Sequence, residues 1–314
     1  MMENNPKQIL SNTEYHDGCG IGFIVETTGK PSRRVIDLSI KALKKMSHRG
    51  AYGADEKTGD GVGILVDIPK QYFAMIIKAV LNIDIDQNKP LGIAMVFTED
   101  SEATGIEEEI QSHCKELKIK YLGQRVVPVN HSILGEIAKD TCPEIIQYFF
   151  TNKGKTKRDF EKKLYLLRKS IESYINVNKG TSFICSLSAK TIVYKGMMGK
   201  GQLIQFYHDL NQLNFKVCMS VFHERFSTNT ISSWSMAQPF RMLAHNGEIN
   251  TIKGNRLWMK TREDSIHSSF WGNNIEKLKP LVSQSGSDSF SLDNILEFLV
   301  KSGKNLFQSI MMLI

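Results

Sequence analysis

A chain of 314 residues is long enough to bury a substantial core, in one large domain or two modest ones. With 41% hydrophobic and 23% charged residues it reads as soluble globular protein, and no apolar run approaches the ~20 residues that cross a bilayer, nor do residues 1–18 carry the apolar stretch of a secretory signal, so a membrane role is excluded and the cytoplasm is expected. The net charge of +7 comes from lysines scattered among acidic residues, as in 153–169, which reads as a solvated helix face and not a nucleic-acid surface.

Taken in chain order, residues 1–18 are a short polar leader, and Ile21 to Val25 is an apolar run suited to a strand. Val35, Leu38, Ala42 and Met46 follow at helical spacing, with His48-Arg49-Gly50-Ala51 at the helix exit. Gly59-Asp60-Gly61-Val62-Gly63 opens a second strand through Asp67, and Leu91 to Phe97 makes a third. Residues 103–117 and 157–176 read as amphipathic helices, the latter with a core stripe of Phe160, Leu164, Leu167, Ile171 and Ile175. From Thr181 the texture turns to short β runs at 182–187, 191–194 and 216–226, the first two joined by Ser188-Ala189-Lys190 as in a hairpin. Strands at front and back with helices between predict an α+β layered domain over a doubly wound sheet. The apolar runs 294–299 and 306–314 stop without a polar tail, so the chain is expected to be cut inside an element, truncated at its C-terminus.

Five cysteines (Cys19, Cys114, Cys142, Cys185 and Cys218), odd in number and never spaced C-x-x-C, argue against a disulfide scaffold and against a cysteine-rich zinc or iron–sulfur site within these residues. Cys19 stands apart, within Asp17-Gly18-Cys19-Gly20-Ile21-Gly22-Phe23. The flanking glycines remove side chains around the thiol, which lets a substrate carbonyl approach. If the leader is removed, the freed α-amino group of Cys19 can serve as the base for its own sulfur.

Three further segments have chemical readings beside plain structural ones. His245-Asn246-Gly247-Glu248 contains the commonest two-residue hairpin turn, Asn-Gly, yet the Asn246 side-chain N–H and the Gly247 backbone N–H can also converge as an oxyanion hole. His223-Glu224-Arg225-Phe226-Ser227 reads either as a strand terminus with a surface arginine or as a guanidinium fork for a substrate carboxylate. Ser283 to Ser289 is a polar loop that can cap the next helix; if Asp288 faces a pocket instead, it pairs with a cationic amine. Arg225 and Asp288 together then hold the two charged ends of an α-amino acid.

These segments resemble, in order, the class II glutamine amidotransferases of the N-terminal-nucleophile type, and more narrowly the glutaminase domain at the front of the glutamate synthase large subunit. The resemblance is carried by residues 19–23, His48-Arg49-Gly50-Ala51, Thr58-Gly59-Asp60-Gly61, 182–196, 223–230, 239–258 and Ser287-Asp288-Ser289. It implies a four-layer αββα sandwich over residues 19–314 behind a propeptide, 1–18. It also implies Cys19 as nucleophile, Asn246 and Gly247 as the oxyanion hole, Arg225 and Asp288 as ligands of the glutamine carboxylate and α-amine, and Arg49 in the pocket near the thiol. L-Glutamine is the implied substrate. Synthase domains or a subunit receiving ammonia are the implied partners, with neither nucleic acid nor membrane. No cofactor is implied in this chain; FMN and an iron–sulfur cluster are implied for a full-length enzyme.

Other readings stay open at this point. A separate glutaminase subunit of another class II amidotransferase has the same residues. A papain-like hydrolase would use His223 or His245 as base, and a non-catalytic glutamine-binding module or a basic nucleic-acid binder would need no activated thiol at all.

Overall fold

The computed structural model describes residues 20–46, 50–152, 156–199, 201–224 and 232–313. The first predicted strand is β1, Gly20–Val25. Its glycines are required by packing: a Cβ on Gly20 would lie 2.9 Å from Met46 Sδ, and one on Gly22 2.5 Å from the Phe222 ring. The predicted first helix is α1, Arg33–Lys45, capped by Ser32, whose side chain accepts from the Arg34 N–H. It buries Val35, Ile36, Ile40 and Leu43 and leaves Leu38 exposed, so its apolar stripe is rotated from the expected one.

The second and third predicted strands are β2, Val62–Asp67, and β3, Leu91–Thr98. Between them α2, Lys70–Leu81, buries Tyr72, Phe73 and Ile77. No element is predicted from the sequence for that stretch, nor for β4, Ile119–Val126, the short α4, Glu136–Asp140, and β5, Glu144–Asn152. The two expected amphipathic helices are α3, Asp100–Leu117, and α5, Lys157–Val177. The predicted hairpin is β6, Phe183–Ser188, and β7, Thr191–Gly196; α6, Gln202–Phe206, and β8, Met219–Glu224, follow. Beyond β8 lie α7, Ile252–Glu263, α8, Asp288–Lys301, and α9, Leu306–Met311.

The described strands form two four-stranded sheets, ordered β1-β8-β2-β7 and β4-β5-β3-β6, with antiparallel pairing throughout. Antiparallel order with helices outside is the α+β arrangement expected, and it rules out the doubly wound alternative. α1 packs on β1 and β8, while α3 and α5 pack together over the second sheet. One apolar cluster joins α1 to both sheets through Ile64, Val66 and Tyr194 on one side and Ile93, Met95 and Phe149 on the other. A second lies under α3 and α5, where Ile106 and Ile110 meet Phe160, Leu164, Leu167 and Ile171.

The opposite face of α5 is not the solvated face expected from its charges. Tyr165 and Leu166 pack against Trp271, Leu278, Leu281, Phe298 and Leu299, and Arg168, 3% exposed, is ion-paired to Glu172 and Glu297. Burial disfavours a charged Glu172, yet Arg168, Arg241 and Lys169 outweigh it and hold its carboxyl at about 2. Two lysines of α5 join this covered layer, Lys162 donating to Phe270 O and Lys169 to Pro280 O.

Candidate active site

The register of the first sheet defines where a site can form. Gly20 of β1 pairs with Glu224 of β8, Glu224 pairs with Val62 of β2, and Val62 pairs with Gly196 of β7, so four strand ends are level. The predicted nucleophile Cys19 and the predicted arginines Arg49 and Arg225 lie outside the described residues. Their chain neighbours are informative: Gly20 and Glu224, which precede or follow Cys19 and Arg225 directly, are opposite each other on adjacent strands.

The 245–247 loop reaches this same edge of the sheet. No strand flanks Asn246-Gly247, so the hairpin reading of that dipeptide does not hold. The loop is instead tied down by side chains. Gln238, 3% exposed, donates from Nε2 to the His245 carbonyl at 3.0 Å and accepts the His245 N–H on Oε1 at 2.8 Å. The Asn246 Oδ1 lies 2.8 Å from Nε2 of His223, a fully buried residue of β8. Asn246 and Gly247 themselves are exposed, which is where an incoming substrate needs hydrogen-bond donors.

Asp288 is brought to the same loop. Ser287 caps α8 by accepting the Phe290 N–H at 3.1 Å, as the polar 283–289 segment allowed, and Asp288 occupies the first turn, where the helix dipole favours an anion. Its carboxylate accepts the Ile249 N–H at 2.6 Å and the Ser289 N–H at 2.6 Å. Ser289 Oγ in turn meets His245 Nδ1 at 2.9 Å. Two of the predicted site elements, Asn246-Gly247 and Asp288, are therefore locked to one another through Ile249, His245 and Ser289. The His223 ring thus meets the Asn246 carboxamide, and the His245 ring meets the Ser289 hydroxyl.

Several contributors carried no readable signal. Arg256 of α7 fixes the 284–287 loop, donating to Gly286 O at 2.8 Å, Ser287 O at 3.0 Å and Ser291 Oγ at 2.9 Å. Asp293, fully buried in α8, accepts the Met242 and Leu243 N–H groups on Oδ1 at 2.7 and 3.2 Å, and burial, reinforced by nearby Glu297, pushes its carboxyl up to about 6. Lys195 of β7 is buried beside the Phe183 and Phe240 rings and donates to Ser235 O at 2.6 Å; desolvation brings its ammonium down to about 8. Among the described residues no group of three or more His, Cys, Asp or Glu side chains is arranged to hold a metal. Among them, too, no helix is long and apolar enough to cross a membrane.

Comparison with known proteins agrees with this arrangement. The family model described as glutamine amidotransferases class-II matches residues 19–314. The chain is 43% identical over 309 residues to the glutamate synthase [NADPH] large chain of Azospirillum brasilense, covering 95% of this chain and 20% of that protein. It is 40% identical over 304 residues to the corresponding large chain of Bacillus subtilis (strain 168), with 95% and 20% covered. With the glutamate synthase [NADH] of Saccharomyces cerevisiae it shares 37% over 324 residues, 98% of this chain and 15% of that protein. The chain thus spans about a fifth or less of the length of these curated relatives. On the family match along nearly its whole length, with a two-sheet antiparallel fold to accompany it, this chain belongs to the class II glutamine amidotransferases.

Proposed function

We propose that this chain is the glutaminase part of a glutamate synthase, hydrolysing the side-chain amide of L-glutamine to glutamate and ammonia through a thioester on Cys19. One observation supports it above the others: the Asn246-Gly247 loop is anchored by His223 at the end of the sheet where Gly20, the residue after Cys19, pairs with Glu224, the residue before Arg225. Gly20 and Glu224 are the chain neighbours of Cys19 and Arg225, and their pairing supports a reading in which thiol and arginine serve the same site as the Asn246-Gly247 pair.

Each group has a distinct task in this reading. A free thiol near ~8.5 and an α-amine near ~8 exchange a proton at modest cost, so the Cys19 amine takes the thiol proton as sulfur attacks the amide carbon. The oxyanion is received by the Asn246 side chain and the Gly247 N–H. The amine then gives its proton to departing ammonia, and water cleaves the thioester to glutamate. Arg225 takes the substrate carboxylate and Asp288 its α-ammonium, with Arg49 lining the pocket near the thiol. Asp288 is suited to this although two N–H groups already use it, because a carboxylate offers about four lone-pair sites. With both ends held, asparagine, one methylene shorter, cannot place its carbonyl at the sulfur.

Residues 1–18 act as a propeptide in this reading, because an acylated Cys19 nitrogen is an amide and not a base, and residues 19–314 are the glutaminase domain. Ammonia passes to synthase domains or a subunit that fix it onto 2-oxoglutarate. FMN and an iron–sulfur cluster belong to that other part of a full-length enzyme, and no step described for this chain runs through them. The protein works in the cytoplasm. Replacing Asn246 with Ala tests the assignment: kcat for glutamine hydrolysis is expected to fall about 10²–10³-fold with KM little changed, the cost of one oxyanion donor. Unchanged kcat would remove Asn246 from the chemistry.

A further inference from the structure

The geometry points to His223 as the positioning residue that fixes which end of the Asn246 carboxamide faces the substrate, an inference that rests on the proposed oxyanion role of Asn246. A carboxamide has a donor end and an acceptor end of nearly the same shape, and they exchange places by a half-turn about one bond. Only the donor end stabilises an oxyanion; the flipped amide presents its carbonyl oxygen to a negative charge and repels it. Something must choose between the two orientations.

In this structure the choice is made from inside the sheet. His223 sits in β8 between two strands, paired with Ile21 of β1 and with Gly63 of β2, so its backbone is held on both sides. Its ring is fully buried, while Asn246 is exposed. The 2.8 Å contact joins Nε2 of the ring to Oδ1 of the amide, so the acceptor end faces the buried ring and the Nδ2 end faces away from it. That contact requires a proton on Nε2. The opposite tautomer would accept from Nδ2 and turn Oδ1 out toward the substrate.

The loop's approach to the sheet is built for this contact. At Gly63, the residue beside His223 on β2, a Cβ would lie 2.5 Å from the Gln238 carbonyl, so the absent side chain lets the 238–246 segment lie directly on the strand. Gln238 then clamps the His245 backbone through both of its hydrogen bonds, which sets the position of the next residue but not the orientation of its amide. His223 acts on that orientation through the Asn246 Oδ1. Backbone placement and amide orientation are thus controlled by two different side chains.

The test is a set of steady-state measurements of glutamine hydrolysis by the full chain with Cys19 as its first residue. His223→Phe keeps ring volume and removes the donor. Its kcat is expected to fall about 10-fold with KM unchanged, between the about 2-fold of an amide that samples both orientations equally and the 10²–10³-fold of losing the donor outright. His223→Gln, whose own amide can donate to Oδ1, is expected to recover part of that loss and also serves should the Phe variant fold poorly. Placing His223→Phe in an Asn246→Ala background is expected to cost nothing further, since no amide remains to orient.

Wild-type kcat in His223→Phe, alongside a large loss in Asn246→Ala, overturns the inference while leaving the oxyanion assignment standing. The same fractional loss from His223→Phe with and without the Asn246 amide overturns it too, by showing a role unrelated to that side chain. Wild-type kcat in Asn246→Ala overturns the oxyanion assignment and the inference with it.

Discussion

Asp293 offers a pH-dependent test of how the segment leading to the Asn246-Gly247 loop is held. Its carboxyl is fully buried, accepts two backbone N–H groups at 242 and 243 on one oxygen, and among the described residues finds no hydrogen-bond partner for the other. Burial first, and the charge of Glu297 second, raise it from 3.8 to about 6. The native state therefore holds this proton more tightly than the unfolded chain does. The stabilisation is fully present below about pH 4 and is lost as pH rises through about pH 6. A rise of about two units corresponds to about 3 kcal/mol. Asp293→Asn keeps the shape and the accepting oxygen and removes the titration. Urea unfolding of both proteins across this range gives the difference directly. Relative to wild type, the variant is expected to gain about 3 kcal/mol of stability between about pH 4 and about pH 7, on top of any constant offset from the new amide. Carboxylates shifted the other way, such as Glu172, titrate in both proteins and cancel. A difference that stays flat with pH, or one that shrinks as pH rises, would refute a buried ionisation at this position.

Two other substitutions probe the scaffold. Gly22→Ala sets a methyl 2.5 Å from the Phe222 ring across β1 and β8, and is expected to cost about 1–3 kcal/mol in thermal or denaturant unfolding. Arg168→Met leaves Glu172 and Glu297 without their shared buried cation and is expected to cost about 3–5 kcal/mol, with part recovered when Glu297 is replaced by Leu in the same chain.

What the sequence made legible follows from where periodicity and punctuation coincide. β1, β2, β3 and the β6–β7 hairpin are apolar runs bounded by glycine, proline or polar turns, and α5 carries a regular stripe; all were readable. β5 was not, because the buried Gln147 breaks EIIQYFFTN into two short apolar pieces, whereas the equally buried β2 and β3 carry no such polar interruption. β4 was hidden for another reason: its IKYLGQRV mixes charge and apolar residues without a clean period, and its pairing with β5 shifts register between Tyr121 and Gly123. The covered face of α5 depended on partners more than 100 residues away, which local charge pattern does not encode.

At the site, the residue types with intrinsic chemistry were legible, and the side chains that hold them were not. Asn246-Gly247 and Asp288 could be picked out because donors and charges have few alternatives. Gln238, Arg256 and Asp293 act by hydrogen bonds to backbone and Ser289 by one to the His245 ring, a capacity that any polar residue on a helix or loop has. The hairpin reading of Asn-Gly failed because turn propensity is local, whereas this loop is shaped by Gln238 and His223 from elsewhere in the chain.

The most direct measurement compares glutamate release from L-glutamine by the chain beginning at Cys19 with release by the same chain still carrying residues 1–18, each form verified by intact mass. Turnover confined to the Cys19-first form, and abolished there by Cys19→Ala, is the predicted result. Equal turnover with residues 1–18 attached would contradict the assignment of the Cys19 amine as the base.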